Sequence, residues 1–147
     1  MAVYPNKESM KVIFESRSTN EGLARTIAGA FLARLDPTIE EVADVKTAVS
    51  EAVTNAVIHG YAGRFGLIEM EMSAQGRRIT ISVRDEGVGI ADIERAREPF
   101  FTTMAGERSG MGFCFMESFM DELEVISEPG KGTCIVMSKC IGAPVYE

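Results

Sequence analysis

"LIEMEMSAQGRRITISVRD", residues 67–85, decides the fold. In "LIEMEMS" apolar and acidic residues alternate. Ile68, Met70 and Met72 point one way, and Glu69 and Glu71 the other. "RITISVRD" alternates again, with Ile79, Ile81 and Val83 on one side. A period of two is the period of a strand with one buried face. The intervening "AQGR" is a candidate hairpin turn, so the two strands run antiparallel. Only one side of the pair is apolar, and it requires a cover.

The cover lies upstream. "LARTIAGAFLARL" places Leu23, Ile27, Ala30, Phe31 and Leu35 at helical spacing, and Ser18 three residues before Glu21 offers a capping box. Asp36-Pro37 ends that helix, and Thr38 with Glu41 offers a second capping box. A second helix is expected from about Ile39 to His59. Val42, Val45, Val49, Ala52, Val53 and Ala56 form its apolar face, and Gly60 and Gly63 stop it. "KVIFES" (Lys11–Ser16) reads as a first strand. "DIERARE" reads as a short helix and "GMGFCFMESFM" as a helix opened by glycines. "ELEVISE" and "GTCIVMSK" form a second hairpin turned at Pro129–Gly132. The expected architecture is a two-layer α/β sandwich: a mixed, mainly antiparallel sheet covered on one face by helices.

With 147 residues, one domain is expected over 1–147, large enough to bury a core without disulfides or metals. The apolar share of 46% and charged share of 25% are those of an ordinary globular protein. No run approaches the roughly 18 apolar residues of a membrane span, and "MAVYPNKESMK" has neither the basic region nor the apolar run of a signal peptide. The expectation is a cytoplasmic protein without a membrane partner. A net charge of −7 argues against direct nucleic-acid binding, which needs a basic patch, and suits a basic protein partner better. Cys114, Cys134 and Cys140 form no close metal-ligand pair and read as reduced thiols, Cys114 and Cys134 as small buried hydrophobes.

Three stretches carry chemistry. "RDEGVGI" is a strand end followed by Gly87 and Gly89, where backbone can approach a ligand and the Asp85 carboxylate can accept from an exocyclic amine; a plain glycine turn reads the same way. In "ERSGMGF", Gly110 and Gly112 fall at a helix start, whose free N–H groups and dipole make an anion site. Arg108 just upstream has a guanidinium that can cover phosphate oxygens; a solvated arginine before a glycine-rich helix entry is the alternative. In "SEAVTNAVIHGY", Glu51, Asn55 and His59 recur every four residues, on one helix face. An amide oxygen can ligate Mg²⁺, and a carboxylate one turn earlier can orient or deprotonate a hydroxyl. The other reading is a solvated helix edge, and for His59 local hydrogen bonding at a helix end. There is no "GxxxxGK[ST]" run, no "GxGxxG" and no protein-kinase catalytic-loop signature, which excludes those nucleotide-binding classes.

Taken together, "EAVTNAVIHGY", "DEGVGI", "ERSGMGF" and "GKGT" resemble, in order and separation, the N, G1, G2 and G3 boxes of the GHKL ATPase/kinase superfamily. The likeness spans about Met10 to Lys139. Within that superfamily, "LDPTIEEVADVKTAVSEAVTNAVIHGY", "RDEGVGI" and "PFFTT…ERSGMGFCFMESFMDELEV" are similar to the anti-sigma F factors of endospore-forming bacteria. The resemblance implies a Bergerat-type fold, ATP/ADP and Mg²⁺ as cofactors, and protein serine kinase activity. Glu51 would be the general base, Asn55 the Mg²⁺ ligand, and Asp85 the acceptor for the adenine amino group, with Gly87 and Gly89 shaping its pocket and Thr133 supporting it through water. Arg108 would contact the γ-phosphate, with Gly110, Met111 and Gly112 supplying N–H groups. Residues 99–109 would be the ATP lid, carrying Thr102 and Thr103 as nucleotide contacts. The implied partners are a sporulation sigma factor, which a homodimer inhibits, and a small anti-anti-sigma protein, which it phosphorylates. Arg25 is a candidate sigma contact or a solvated helix arginine. Three alternatives stand beside this reading: a stress-response anti-sigma kinase, a non-catalytic ATP-switched binding module, and a histidine-kinase catalytic domain. The "CIGAPVYE" tail carries no box.

Overall fold

The structure is a computed structural model, and it describes residues 6–98 and 112–142. The elements are β1 (Lys7–Glu15), α1 (Thr19–Leu32), α2 (Ile39–Asn55), β2 (Leu67–Gln75), β3 (Arg78–Asp85), α3 (Ile93–Ala96), α4 (Gly112–Phe119), β4 (Glu122–Glu128) and β5 (Gly132–Cys140). A 3₁₀ turn, Ala33–Leu35, extends α1, and a π-helical turn, Ala56–Gly60, extends α2.

The five strands form one sheet in the order β1-β2-β3-β5-β4, with every pairing antiparallel. The β2–β3 hairpin turns at Gly76, whose φ is +58°, so that the loop adopts the left-handed geometry a tight hairpin needs. The alternation in the sequence maps onto the two faces. Ile68, Met70, Met72, Ile79, Ile81 and Val83 are buried with Ile135 and Met137 of β5. Glu69 and Arg84 lie on the opposite face, where Lys11 of β1 pairs with Glu69 at 3.5 Å.

On the apolar face, α2 contributes Val45, Ala48, Val49, Ala52 and Val53, each fully buried. Small and β-branched side chains let this helix lie close to the strands. Its N-terminus carries the expected capping box: Glu41 N–H donates to Thr38 Oγ1 at 3.1 Å, and Thr38 N–H donates to Glu41 Oε1 at 2.9 Å.

In α1, two expectations are corrected. Leu23 is 53% exposed and Ala30 is exposed too, while Phe31 is buried as expected, Ile27 and Leu35 pack partly buried against the core, and Ala24, Ala28 and Leu32 complete the buried face. The Ser18–Glu21 capping box does not form. Ser18 has helical dihedrals and makes no capping bond. Glu21 is drawn instead to Arg25, at 3.7 Å, and to the hydroxyl of Ser50 on α2. A tertiary partner competes successfully with the local one. Cys114 and Cys134 are only half-buried, Cys140 is exposed, and all three are free thiols.

Candidate functional site

The π turn ending α2 meets the loop leaving β3. A strict α-helix continuing to His59 would stack it above Glu51 and Asn55. His59 lies in a π-helical turn over Ala56–Gly60, just beyond the α-helical segment that carries Glu51 and Asn55. Glu51 and Asn55 are half-buried, one turn apart, on the last two turns of α2.

The same turn brings Gly60 against Asp85. A Cβ on Gly60 would stand 2.7 Å from Asp85 Cγ, inside van der Waals contact. Gly87 in turn packs on the Gly60 carbonyl so closely that any Cβ there would overlap it. Val88 N–H donates to Gly60 O at 2.9 Å. Gly89, with φ +76°, crosses the Glu128 carbonyl, and Gly130 N–H donates to Val88 O at 2.7 Å. The glycines of "RDEGVGI" are thus required by backbone-on-backbone packing between the α2 exit on one side and the β4–β5 turn on the other.

Asp85 is the last residue of β3, opposite Thr133 of β5, and only 4% exposed. Burial pushes its carboxyl above the usual carboxylate range, while the backbone N–H groups of Gly87 and Thr133 pull the other way. Gly87 N–H donates to Oδ1 at 2.9 Å. Thr133 is also buried, and its hydroxyl shares a 2.8 Å hydrogen bond with Ser127, whose Oγ accepts from Ile90 N–H at 2.8 Å. A buried carboxylate oriented by backbone donors can accept from a ligand amine.

On the other side of α2, the start of α4 lies beside Glu51. A Cβ on Gly112 would come 3.2 Å from Glu51 Oε2. Asp85, Gly87, Gly89 and Thr133 therefore form one cluster, and Glu51 and Gly112 another, with Asn55 on the helix that connects them. The expectations for Thr102, Thr103, Arg108, Gly110, Met111 and the 99–109 lid lie outside the described residues. No group of three or more His, Cys, Asp or Glu side chains is placed to hold a metal ion among the described residues. Asn55, an amide on α2, has the chemistry to give one oxygen to a cation held otherwise by phosphate oxygens and water.

Arg25 is placed elsewhere. It is exposed on α1, beside a groove of about 300 Å³ lined by Ser18, Glu21, Ser50, Thr54, Val57 and Ile58. Ser50 and Thr54 immediately precede Glu51 and Asn55, so this groove occupies the neighbouring face of the same helix.

Sequence reasoning missed Gly60 and Ser127. Gly60 reads as a helix stop, and nothing local announces that a carboxylate 25 residues later rests on it. Replacing Gly60 by Ala is expected to destabilise the fold by about 1–3 kcal/mol, because the added methyl meets the Asp85 side chain inside a packed layer. Denaturant titration measures this; a loss below about 0.5 kcal/mol would mean the contact relaxes freely.

A helix-covered antiparallel sheet with a buried carboxylate at a glycine loop, and an acid–amide pair on the adjoining helix, defines a nucleotide-binding ATPase domain of the histidine-kinase kind. The model of the family "Histidine kinase-like ATPase domain" matches residues 14–139. The anti-sigma F factor of Thermoanaerobacter sp. (strain X514) is 58% identical over 135 residues, covering 91% of this chain and 94% of that protein. That of Caldanaerobacter subterraneus subsp. tengcongensis is 57% identical over 134 residues, covering 90% and 94%. Among solved structures, the RsbU and RsbW domains of Rv1364c from Mycobacterium tuberculosis superpose with a TM-score of 0.66 at 20% identity, over 91% of this chain and 32% of that longer one. The mycobacterial sensor histidine kinase MprB superposes with a TM-score of 0.55 at 22% identity, over 68% of this chain and 72% of that one. At those identities the two structures speak for the fold alone. The chain belongs to the anti-sigma F factor family, within the histidine kinase-like ATPase domains. No helix among the described residues is long and apolar enough to cross a membrane.

Proposed function

We propose that this protein binds and inhibits a sporulation sigma factor and, as an ATP-dependent protein serine kinase, phosphorylates and inactivates a small anti-anti-sigma protein. The observation that carries the reading is the Glu51–Asn55 pair on α2, flanked by the Asp85 cluster and the start of α4. A pure binding module has no use for a carboxylate one turn from a metal-ligating amide.

In this reading Asp85 accepts from the adenine amino group, with Gly87 and Gly89 shaping that pocket and Thr133 supporting the adenine side through water. Asn55 supplies one oxygen to Mg²⁺. Bound Mg-ATP supplies the phosphoryl group and the charge neutralisation that its transfer needs. Glu51 accepts the proton of the incoming serine hydroxyl, which raises its nucleophilicity at the moment of attack. Arg108, with the N–H groups of Gly110, Met111 and Gly112, stabilises the phosphate oxygens, and Thr102 and Thr103 contact the nucleotide from the 99–109 lid. Phosphoryl transfer depends mainly on such positioning and charge stabilisation, so the set is sufficient. Arg25, exposed on α1, contributes to sigma docking by pairing with an acidic residue of the sigma factor. The protein acts as a homodimer in the cytoplasm, without contacting DNA.

The test is to incubate the purified protein with Mg-ATP and the anti-anti-sigma protein and look for acid-stable phosphoserine. Its absence, with both ligands shown to bind, would leave an ATP-switched binding module. Acid-labile phosphate would point to histidine chemistry instead.

A further inference from the structure

Tyr61 lies just beyond the π turn and is assigned no part in the site described above. Its hydroxyl donates to Leu67 O at 2.5 Å and accepts from Glu86 N–H at 2.8 Å. The identity of those two partners is informative. The β2–β3 ladder runs from Gln75↔Arg78 to Glu69↔Arg84. Continuing that register by two residues would set Leu67 opposite Glu86, with the Leu67 carbonyl and the Glu86 N–H as direct ladder partners. The Tyr61 hydroxyl stands between them and satisfies both. It replaces a ladder bond with a bridge and holds the end of β3 away from β2. The tyrosine ring packs on Gly66, where any Cβ would collide with it, so the hydroxyl is delivered from a fixed platform.

The consequence falls on Asp85, the residue directly before Glu86. Three successive N–H groups of the loop are committed: Glu86 to Tyr61, Gly87 to Asp85 Oδ1, and Val88 to Gly60 O. Two of those three partners come from the Gly60–Tyr61 exit of the π turn. Burial also pushes the Tyr61 phenol above its usual range, so the hydroxyl keeps its proton, and its donor function, at any physiological pH.

We propose that Tyr61 is a positioning residue for base selectivity: its hydroxyl wedge sets the separation of β3 from β2 and thereby aims the Asp85 carboxylate at the exocyclic amine of the base. This rests on the reading of Asp85 as the adenine acceptor. Removing the hydroxyl frees Leu67 and Glu86 to close on one another, which draws Asp85 out of line without removing any group that contacts nucleotide.

The experiment compares the binding of ATP with that of purine riboside triphosphate, which lacks the 6-amino group, to the wild type and to Tyr61→Phe. The wild type is expected to prefer ATP by about tenfold or more, the worth of one hydrogen bond to a charged acceptor. In Tyr61→Phe, ATP affinity should fall about tenfold while the analogue's is little changed, so the preference collapses. A preference retained at its wild-type value would overturn the proposal, even if both affinities fell together, because that pattern is a general loss of structure. A wild type that binds ATP without preference would instead remove the Asp85 reading beneath it. A second measurement, independent of any variant's folding, is hydrogen exchange of the wild-type Glu86 amide. The bridge requires protection comparable to the β2–β3 ladder; free exchange would overturn the proposal.

Discussion

Replacing Glu51 by Gln is expected to lower the rate of phosphoryl transfer to the anti-anti-sigma protein by about 10²–10⁴-fold, the usual worth of a general base. The substitution keeps the shape and the hydrogen-bonding reach of the side chain while removing its capacity to take a proton. Glu51 is half-buried on α2 and its Oε2 lies close to the start of α4, so an isosteric change disturbs little packing. ATP affinity should stay within about threefold of wild type, because the adenine cluster at Asp85 is built from other elements. Sigma binding should persist for the same reason. Single-turnover phosphorylation with parallel nucleotide-binding measurements separates the two effects. Unchanged phosphorylation would mean that Glu51 is not the base. A parallel loss of ATP binding would place the carboxylate in ground-state binding instead.

Asp85→Asn should produce the opposite pattern: ATP affinity falls by about two orders of magnitude, while the nucleotide-free protein becomes no less stable at neutral pH. The affinity loss follows from hydrogen-bond polarity. Gly87 N–H donates to Asp85 Oδ1. An asparagine oxygen would take that donor, leaving its amide N–H₂ to face the amine of the base, donor against donor. The stability effect follows from the direction of the carboxyl shift. Burial raises the folded pKa of Asp85 above its unfolded value. Between those two values the folded state holds the proton more tightly, so stability falls as pH rises through that window. Above it, the ionised and buried Asp85 is a standing cost that asparagine does not carry. The variant's advantage should therefore be present at neutral pH and shrink as pH falls through the raised pKa. Thermal melts of both proteins across mildly acidic to neutral pH check the sign. A variant that is less stable at pH 7 and gains on acidification would contradict the assigned direction.

The two predictions rest on residues that were legible from different kinds of signal. Asp85 closes a strand of clean alternation and precedes two glycines, so its place at a strand end followed by a tight loop was readable from pattern alone. Glu51 and Asn55 were readable as a pair because α-helical geometry holds through Asn55. His59 lies beyond that segment, in the π turn that begins at Ala56. The apolar face of α2 was read correctly because burial on a sheet is a property of the whole period. That of α1 differs at its start, where the spacing favours the more hydrophobic Leu23, yet Ala24 is the residue buried at 1% exposure.

Local sequence by itself determined the antiparallel hairpins, the helices that cover them, the Thr38–Glu41 cap and the position of the glycine loop. These depend on side-chain periodicity and on capping bonds that span three residues, and such information is contained in the segment that uses it. Tertiary structure alone decided where the glycines press and which polar groups meet. Glu21 left its local cap for Ser50, Gly60 became the floor under Asp85, and Tyr61 entered the gap between Leu67 and Glu86. The first joins residues brought together when α1 packs on α2, and the other two join residues brought together when the α2 exit folds onto the end of the β2–β3 hairpin. No repeat or spacing within one segment encodes an approach between two backbones. Close packing fixes it once the core is buried.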